Sequence, residues 1–282
     1  MGNNISQHIA FLGCGSMNGA ILTGLLAAGV PSGQVTATVR DPEKAANLAK
    51  RHGVQVLSST EETEANRQAA GGADVVLLGV KPVGILDLAR QISPALKPGT
   101  VVISVAAAIS IDMLEAALPQ GQPVIRSMPN TPSSLGRGVL SISAGTHATA
   151  ELMEQARTIL SAAGTVVEIP EDQVDALSAV SGSGPAYAFY LAEAMAAAGV
   201  KLGLEEDLAK LLATQTVAGA GYMLAEEGAD ATALRKAVTS PNGTTERAIA
   251  TFDEQGLPDI IAAGAQAAAE RAGAITKELD GR

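Results

Sequence analysis

Two short stretches rich in glycine and small polar residues have the composition of an anion-binding turn. In the first, the apolar run 8–12 ends in Gly13-Cys14-Gly15 and is followed by a helical pattern of leucines. A strand that turns sharply into a helix offers free backbone N–H groups and the positive end of a helix dipole to a phosphate. Gly13 permits the tight turn, and Gly15 lets a pyrophosphate approach the backbone. These residues predict a dinucleotide-binding turn.

The third position of this glycine pattern is occupied by Asn18. Glycine or alanine is usual there because the helix presses against the strand. A longer side chain must either move the helix away from the strand or point outward. We expect Asn18 to point outward and to help bind the phosphate.

The second stretch covers residues 239–245, which read Thr-Ser-Pro-Asn-Gly-Thr-Thr and precede a helical pattern that runs to about residue 255. A hydroxyl near the start can cap that helix, and the N–H groups of Gly243, Thr244 and Thr245 could hold a carboxylate. A plain helix cap needs only one serine or threonine. The polarity of the whole run therefore favours binding over capping alone.

Arg40 and Asp41 stand side by side after the second predicted strand, near the place where dinucleotide-binding folds contact the adenosine ribose. An acidic residue there favours NAD, whereas an arginine accommodates the extra phosphate of NADP. A solvated pair of loop charges is the alternative. Because Arg40 comes first after the strand, we favour NADP.

An alternation of short β-branched runs with alanine-rich helical segments positions these residues, from residue 8 to about residue 168. Continuous apolar runs such as 75–78 are typical of strands buried on both faces, so the pattern predicts a doubly wound, parallel α/β sheet. Past residue 170 the chain becomes almost wholly helical. We therefore expect two domains, residues 1–168 and residues 169–282, the second of them all-α.

The predicted elements are as follows. The strands are 8–12, 34–39, 54–56, 74–80, 100–104 and 123–127, and the helices between them include 17–28, 42–51, 84–93 and 111–117. In the second domain a long helix opens at 181–187 and is broken by Gly199 and Gly203, and further helices cover 204–227, 231–238, about 245–255 and 257–279.

Three more loops follow predicted strands and so lie at the carboxyl edge of the sheet, where ligands of open α/β sheets bind. Val80-Lys81-Pro82 follows the fourth strand, a run of small residues that includes Val105 and Ala107 follows the fifth, and residues 128–132 follow the sixth. We expect these loops to converge on one crevice.

The composition excludes several other kinds of protein. The net charge is −10 and the lysines and arginines are scattered, which argues against a nucleic-acid partner. A single cysteine, Cys14, excludes an internal disulfide, and the three histidines lack ligand spacing, so we expect no metal. Neither a signal peptide nor an apolar stretch of the ~20 residues that span a membrane is evident. We expect a soluble, cytoplasmic protein with a small-molecule substrate.

Five motifs together resemble those of the delta-1-pyrroline-5-carboxylate reductase family, which makes proline in the last step of its synthesis. In order they are Gly13-x-Gly15-x-Met17, Val80-Lys81-Pro82, Met128-Pro129-Asn130-Thr131-Pro132, Ser181-Gly-Ser-Gly-Pro-Ala-Tyr187 and Thr239-Ser-Pro-Asn-Gly-Thr-Thr245. The resemblance covers residues from about 8 to 278, and the last two motifs together are highly specific. It implies an N-terminal Rossmann domain that binds NAD(P)H and a C-terminal helical dimerisation domain that completes the substrate pocket.

The resemblance implies two sets of binding residues. The expected cofactor-binding residues are Gly13, Cys14, Gly15, Ser16, Met17, Asn18, Arg40, Val80, Lys81, Pro82, Val105 and Ala107. The expected substrate-binding residues are Glu171, Ser240, Gly243, Thr244 and Thr245, the last also catalytic as the hydrogen-bond partner of the imine nitrogen. We expect NADPH as the preferred cofactor with NADH as the alternative, and a homodimer or a higher oligomer of dimers.

The sequence also departs from the family pattern. Asn18 and Asn242 replace usual glycines, Ala108 stands where glycine is common, and Gly228 and Ala237 stand where some members carry polar ligands. The asparagine that contacts the adenosine ribose in the family is not evident in residues 60–72.

Reduction of a cyclic imine requires a nicotinamide C4 within about 3–3.5 Å of the imine carbon, a hydrogen bond or proton at the nitrogen, and a fixed carboxylate. Two rival functions stay open at this point. A related dehydrogenase of 3-hydroxy acids would need a catalytic lysine on the helical domain. Three lysines are available there, Lys201, Lys210 and Lys236, but none lies in a helix motif marked by glycine or asparagine. A non-catalytic dinucleotide-binding protein would have no use for the 239–245 loop.

Overall fold

Eight strands form a single sheet in the computed structural model, which describes residues 5–281. Residues 1–4 of the first predicted domain and residue 282 of the second lie outside this range. The strands are β1 (Ile9–Leu12), β2 (Val35–Val39), β3 (Gln55–Ser58), β4 (Val75–Leu78), β5 (Val101–Ser104), β6 (Val124–Met128), β7 (Gly138–Ala144) and β8 (Gly164–Glu168).

The strand order is β3-β2-β1-β4-β5-β6-β7-β8, and every neighbouring pair is parallel except β6 and β7. The chain order reverses direction across the sheet between β1 and β4, which are neighbours in register from Ile9 beside Val75. A crevice opens beyond the carboxyl ends of the strands at such a switch point. The fold thus confirms the predicted doubly wound sheet.

Twelve α-helices accompany the sheet within the described residues. They are α1 (Ser16–Ala27), α2 (Pro42–His52), α3 (Ala65–Gly72), α4 (Ile85–Ile92), α5 (Ile111–Ala117), α6 (Ala150–Leu160), α7 (Val174–Leu177), α8 (Gly184–Lys201), α9 (Glu206–Leu224), α10 (Ala231–Ala237), α11 (Thr244–Glu254) and α12 (Leu257–Asp280). Residues Ser178–Gly182, between α7 and α8, form a π-helical turn.

The strands are covered on both faces because their side chains alternate between two apolar clusters. Ile9 and Phe11 of β1 belong to the cluster that includes residues of α1 and α6, whereas Ala10 and Leu12 belong to the cluster that includes residues of α4 and α5. All four residues of β1 are buried, as are all four of β4. Burial of both faces explains why the strands are continuous apolar runs rather than alternating ones.

Six of the eight strands correspond to predicted ones, and β7 and β8 were missed. In β7 the apolar Leu140 and Ile142 alternate with the buried Ser141 and Ser143, whose hydroxyls bond to backbone groups. Ser143 donates to the carbonyl of Ile169 at 2.8 Å. A strand whose second face is buried by serine has no continuous apolar run, so its sequence resembles a polar loop.

The chain divides into two compact units, one of residues 1–182 and 269–282 and the other of residues 183–268. The last strand ends at Glu168, where the predicted first domain ends, but the division into units follows Gly182. The C-terminal part of α12 belongs to the first unit, and Leu279 packs against its core.

The second unit consists of helices, as predicted for this part of the chain. The predicted break at Gly199 is wrong, because α8 continues through this residue to Lys201. A Cβ on Gly199 would lie 3.1 Å from the Cβ of Ala209 in α9, so the glycine lets the two helices approach closely. The turn comes at Gly203, whose φ of +98° is left-handed.

Candidate active site

The first glycine turn joins β1 to α1 at the carboxyl edge of the sheet. Gly13 has a φ of +74°, and a Cβ there would collide with the side chain of Val80. Gly15 precedes the first residue of α1 and no side chain caps that end of the helix. The N–H groups of the first turn are therefore available to an anion, with the helix dipole in the favourable sense.

Cys14 is the middle residue of the turn and serves as a small apolar filler. Its side chain is buried, and its N–H donates to the carbonyl of Thr38 at 2.7 Å. Burial raises the pKa of the Cys14 thiol to about 12, with a smaller opposing effect from Lys44. The thiol is therefore protonated at neutral pH and is not a nucleophile.

The expectation that Asn18 points outward is wrong. Its side chain is fully buried, and Nδ2 donates to the carbonyls of Leu12 in β1 and Leu77 in β4, each at 3.3 Å. Space for the amide exists because the residue beside it is Gly79, where a Cβ would collide with the Asn18 side chain. Asn18 holds the two strands together at the switch point, so its side chain does not reach a phosphate.

A cleft of about 810 Å³ lies at this edge of the sheet, in front of the glycine turn. Its volume is within the range of cofactor sites and near the upper end, which suits an elongated ligand. The expected cofactor-binding residues that line it are Gly13, Cys14, Gly15, Arg40, Val80 and Lys81. The glycine turn and the loops after β2 and β4 therefore do converge on one crevice, whereas the predicted loops after β5 and β6 do not line it.

The remaining expected cofactor-binding residues do not line this cleft. Ser16 and Met17 are in the first turn of α1, and the Met17 side chain packs against the apolar core. Pro82 begins a short 3-10 helix after Lys81, and Val105 and Ala107 follow β5. Their contacts with a cofactor stay predictions.

Three positively charged residues line the cleft, two of them after β2 and one after β4. Arg40, Lys44 and Lys81 line the cleft with exposed side chains. Asp41 is occupied otherwise, since its Oδ1 accepts the N–H groups of Glu43 at 2.9 Å and Lys44 at 3.1 Å and so caps α2. Both residues of the Arg40-Asp41 pair line the cleft, and Oδ1 of Asp41 has a structural partner in α2.

Three polar residues of the cleft were missed by the sequence analysis. They are Thr38 of β2, Asn66 of α3 and Gln91 of α4, and their side chains are joined by hydrogen bonds. Asn66 lies within the segment 60–72, where the family asparagine was not evident from the sequence. No local signal distinguishes these residues, because only the packing of α3 and α4 beside β2 brings them together.

The loop 239–245 of the second unit forms a compact turn before α11. The N–H of Gly243 donates to the carbonyl of Ser240 at 3.0 Å, and the N–H of Asn242 donates to Oε2 of Glu246 at 2.8 Å. Gly243 precedes the helix, and no side chain caps it there. Thr244 and Thr245 are the first two helical residues, so their N–H groups lie at a helix N-terminus.

Two departures from the family pattern share one conformation. Asn242 has a φ of +59° and Ala108 a φ of +61°, the left-handed region in which a side chain is strained. Glycine is the usual residue at both positions because it adopts this conformation without strain. These two substitutions leave the path of the backbone intact.

Glu171 makes a structural bond within the first unit. Its Oε1 accepts from the guanidinium of Arg126 and from the N–H of Ile111, each at 2.8 Å. The Arg126 side chain is 7% exposed and that of Glu171 is 29% exposed. The contact of Glu171 with substrate stays a prediction.

Residues 5–281 contain no cluster of metal ligands and no helix that could span a membrane. Within the described part of the chain, acidic, histidine and cysteine side chains nowhere gather in a group of three that could hold a metal ion. No helix among residues 5–281 combines the length and apolar character needed to cross a membrane.

Two family models match the chain. Residues 171–275 match the model of pyrroline-5-carboxylate reductase dimerisation, and residues 8–108 match the model of coenzyme F420-dependent NADP oxidoreductase. The first therefore covers most of the helical region, and the second covers the strands that contain the glycine turn and the cleft.

The chain is similar to proteins named pyrroline-5-carboxylate reductase along nearly its whole length. The protein of Pseudomonas aeruginosa is 40% identical over 97% of this chain and 98% of its own, and that of Mycobacterium tuberculosis is 38% identical over 94% and 95%. A solved structure from Coxiella burnetii has a TM-score of 0.89 at 36% identity, covering 97% and 98% of the two chains. One from Plasmodium falciparum, solved with NADP bound, has a TM-score of 0.79 at 25% identity, covering 96% and 98%.

Proposed function

The chain belongs to the pyrroline-5-carboxylate reductase family, and from this premise we propose that it uses NADPH in preference to NADH, bound in the cleft of the first unit. It is an oxidoreductase that reduces the C=N bond of 1-pyrroline-5-carboxylate to give L-proline with a pyridine nucleotide. Family membership sets aside both the 3-hydroxy-acid dehydrogenase and the non-catalytic dinucleotide-binding protein.

The preference for NADPH over NADH rests on a difference between Arg40 and Asp41, because only the Asp41 side chain is used to cap a helix. An acid that reads the ribose of NAD must direct its carboxylate toward the cofactor. Asp41 also lines the cleft, but its Oδ1 caps α2. Arg40 and Lys44 line the cleft too, and neither forms a salt bridge with another residue of the described range. Two cations favour a nucleotide with an additional phosphate. The NADP bound to the Plasmodium falciparum relative supports the same choice.

The glycine turn fits the other end of such a nucleotide. The uncapped N-terminus of α1 behind Gly13 and Gly15 suits the pyrophosphate, and Lys81 adds positive charge at the edge of β4. When bound, the reduced nicotinamide supplies the hydride that the imine carbon accepts. The residues of the chain bind and orient the nucleotide and hold its charge.

We assign the substrate to the loop before α11. The N–H groups of Thr244 and Thr245 suit the carboxylate of pyrroline-5-carboxylate. Gly243 and Ser240 lie beside them and shape the turn, because the Gly243 N–H donates to the Ser240 carbonyl. The Thr245 hydroxyl then serves as the hydrogen-bond partner of the imine nitrogen and relays a proton from water. The partly buried position of Thr245 supports this role, because a less hydrated hydroxyl forms a stronger hydrogen bond.

The same reasoning extends to the organisation of the protein. We propose that residues 1–168 bind the nucleotide and that residues 169–282 bind the substrate and join two chains into a homodimer, alone or as part of a higher oligomer of dimers. The match of residues 171–275 to a dimerisation model supports this division. The cytoplasmic location stays a prediction from the sequence.

Replacement of Arg40 by alanine tests the cofactor proposal. We expect kcat/KM for NADPH to fall about 10- to 100-fold in Arg40→Ala, with little change for NADH, because a charge-assisted hydrogen bond to the phosphate is lost. Steady-state kinetics with each nucleotide at saturating pyrroline-5-carboxylate measure the ratio.

Arg51→Ala is the matched control, since Arg51 is an exposed arginine in the last turn of α2 and does not line the cleft. It removes the same charge and should leave the ratio unchanged. Equal use of NADPH and NADH by the unmodified protein would contradict the proposed preference.

A further inference from the structure

A chain of hydrogen bonds crosses the cleft beside the glycine turn. The N–H of Gly13 donates to Oγ1 of Thr38 at 3.2 Å, and this hydroxyl donates to Oδ1 of Asn66 at 2.7 Å. Nδ2 of Asn66 donates to Oε1 of Gln91 at 3.0 Å, and Nε2 of Gln91 donates to the carbonyl of Thr63 at 3.4 Å. We call these three side chains, Thr38, Asn66 and Gln91, the relay.

The direction of the relay follows from its two ends. A backbone carbonyl only accepts, so the Gln91 amide must turn its nitrogen toward Thr63 and its oxygen toward Asn66. Asn66 must then turn its nitrogen toward Gln91 and its oxygen toward Thr38. At the other end, the Gly13 N–H only donates, so the Thr38 oxygen accepts from it and its proton goes to Asn66.

The hydrogen bonds of the relay leave one N–H group of the Asn66 side chain available to a ligand. Of the two N–H groups on Nδ2 of Asn66, one is bonded to Gln91, and Asn66 lines the same cleft as Arg40. The second N–H is therefore a donor held in one orientation. The Thr38 side chain is 1% exposed and links this donor to the N–H of Gly13, within the turn itself.

We propose that Thr38 and Gln91 are positioning residues for the nucleotide, which hold the Asn66 amide so that it presents an N–H donor to an acceptor oxygen in the adenosine half. Thr38 also ties that amide to the glycine turn, so the two contacts with the nucleotide keep a constant separation. This inference rests on the proposed binding of the nucleotide in the cleft.

Thr38→Val removes the hydroxyl and keeps the shape of the side chain. We expect the Kd for NADPH to rise about tenfold, equal to about 1.4 kcal/mol, while kcat at saturating NADPH and the KM for pyrroline-5-carboxylate stay within about twofold. The change in NADPH fluorescence on binding measures the Kd, and the protein has no tryptophan to interfere. Thr38→Ser restores the hydroxyl and should restore the Kd.

Thr36→Val is the matched control, because Thr36 lies two residues earlier in β2 and is outside both the relay and the cleft. Its Kd should equal that of the unmodified protein. A folded Thr38→Val protein with an unchanged Kd, or a Thr38→Ser protein as weak as Thr38→Val, would overturn the inference. Repeating the titration with NADH assigns the acceptor, because an equal loss with both nucleotides indicates a ribose oxygen and a loss with NADPH alone indicates the extra phosphate.

Gln91→Met tests the relay from its other end. Gln91 is only half-buried, so we expect this variant to fold. We expect the Kd for NADPH to rise about threefold because the Asn66 amide loses its acceptor. Gln68→Met, on an exposed face of α3, is the control. If Thr38→Val does not fold, an unchanged Kd in Gln91→Met overturns the inference.

Arg40→Ala in the same titration separates the two proposals. If it raises the Kd for NADPH while the relay variants do not, the relay fails and the cleft remains the nucleotide site. If none of these variants changes the Kd, binding of the nucleotide in this cleft fails as well.

Discussion

At the scale of single residues, neighbours decide what an identical residue type does. Asn18 and Asn242 both replace usual glycines, yet Asn242 adopts the left-handed conformation of a glycine whereas Asn18 fills a space left by another glycine, Gly79. Asn66 lies in the cleft, where it bonds to Thr38 and Gln91. The same amide thus serves a turn, a pair of strands and the lining of a cleft.

Thr245→Ala tests the proposed hydrogen bond to the imine nitrogen. We expect kcat to fall about tenfold, because a hydroxyl is a weak acid that aids protonation without titrating. Thr245 lies inside the first turn of α11 and no side chain caps that turn, so the helix itself should be unaffected. Steady-state kinetics at saturating NADPH measure the change, and Thr245→Ser should recover most of the rate.

Thr251→Ala provides the control for this variant, since Thr251 is an exposed threonine of the same helix whose hydroxyl bonds to the carbonyl of Arg247. Its kcat should match that of the unmodified protein. Near-normal kcat in Thr245→Ala would exclude the hydroxyl from the reaction.

At the scale of elements, one ion pair joins segments that are far apart in sequence. Arg126 lies in β6, Glu171 follows β8, and the N–H of Ile111 that also bonds to Glu171 begins α5. Because Arg126 is almost fully buried, its charge needs this carboxylate. The pair fixes the start of the helical region against the sheet of the same unit.

Glu171→Gln is expected to lower the free energy of unfolding by about 2–3 kcal/mol, since it leaves a buried guanidinium without a charged partner. Urea unfolding measures this loss. Glu168→Gln is the matched control, because Glu168 also pairs with an arginine but is 54% exposed, and exposed pairs contribute at most about 1 kcal/mol. Unchanged stability with a raised KM for pyrroline-5-carboxylate would instead favour contact with substrate.

At the scale of the whole molecule, the helices of the second unit expose many large apolar side chains. Phe189 is 69% exposed, Tyr190 72%, Leu202 86% and Leu211 56% in the single chain. Apolar surface of this extent marks a protein interface. It is consistent with the dimerisation model that matches residues 171–275.

We therefore expect light scattering to give a mass twice that of the 28.3 kDa chain, or a larger even multiple of it for an oligomer of dimers. The urea midpoint of unfolding should rise with protein concentration, because association stabilises the folded chains by mass action. A monomer mass at micromolar concentration, or a midpoint independent of concentration, would contradict the homodimer.

Local sequence patterns were sufficient to predict the order of most elements, the glycine turn and the helical second half. These features depend on residues close together in the chain, such as the apolar runs of β1 and β4 or the left-handed Gly13. Their physical causes are the periodicity of side chains and the conformational freedom of glycine, which act locally. The sequence analysis did not predict β7 and β8, because neither contains a long continuous apolar run. In β7 serines fill the second face, and β8 has only Val166 and Val167 as apolar residues.

The tertiary structure alone decided how the polar side chains are used. Asn18 points inward because the carbonyl of Leu77, 59 residues away, comes within hydrogen-bond distance. Thr38 and Asn66 meet because β2 and α3 pack together. Buried hydroxyl and amide N–H donors bond to whichever acceptors the packing brings near. Their partners are distant in sequence, so neither spacing nor residue type could reveal them.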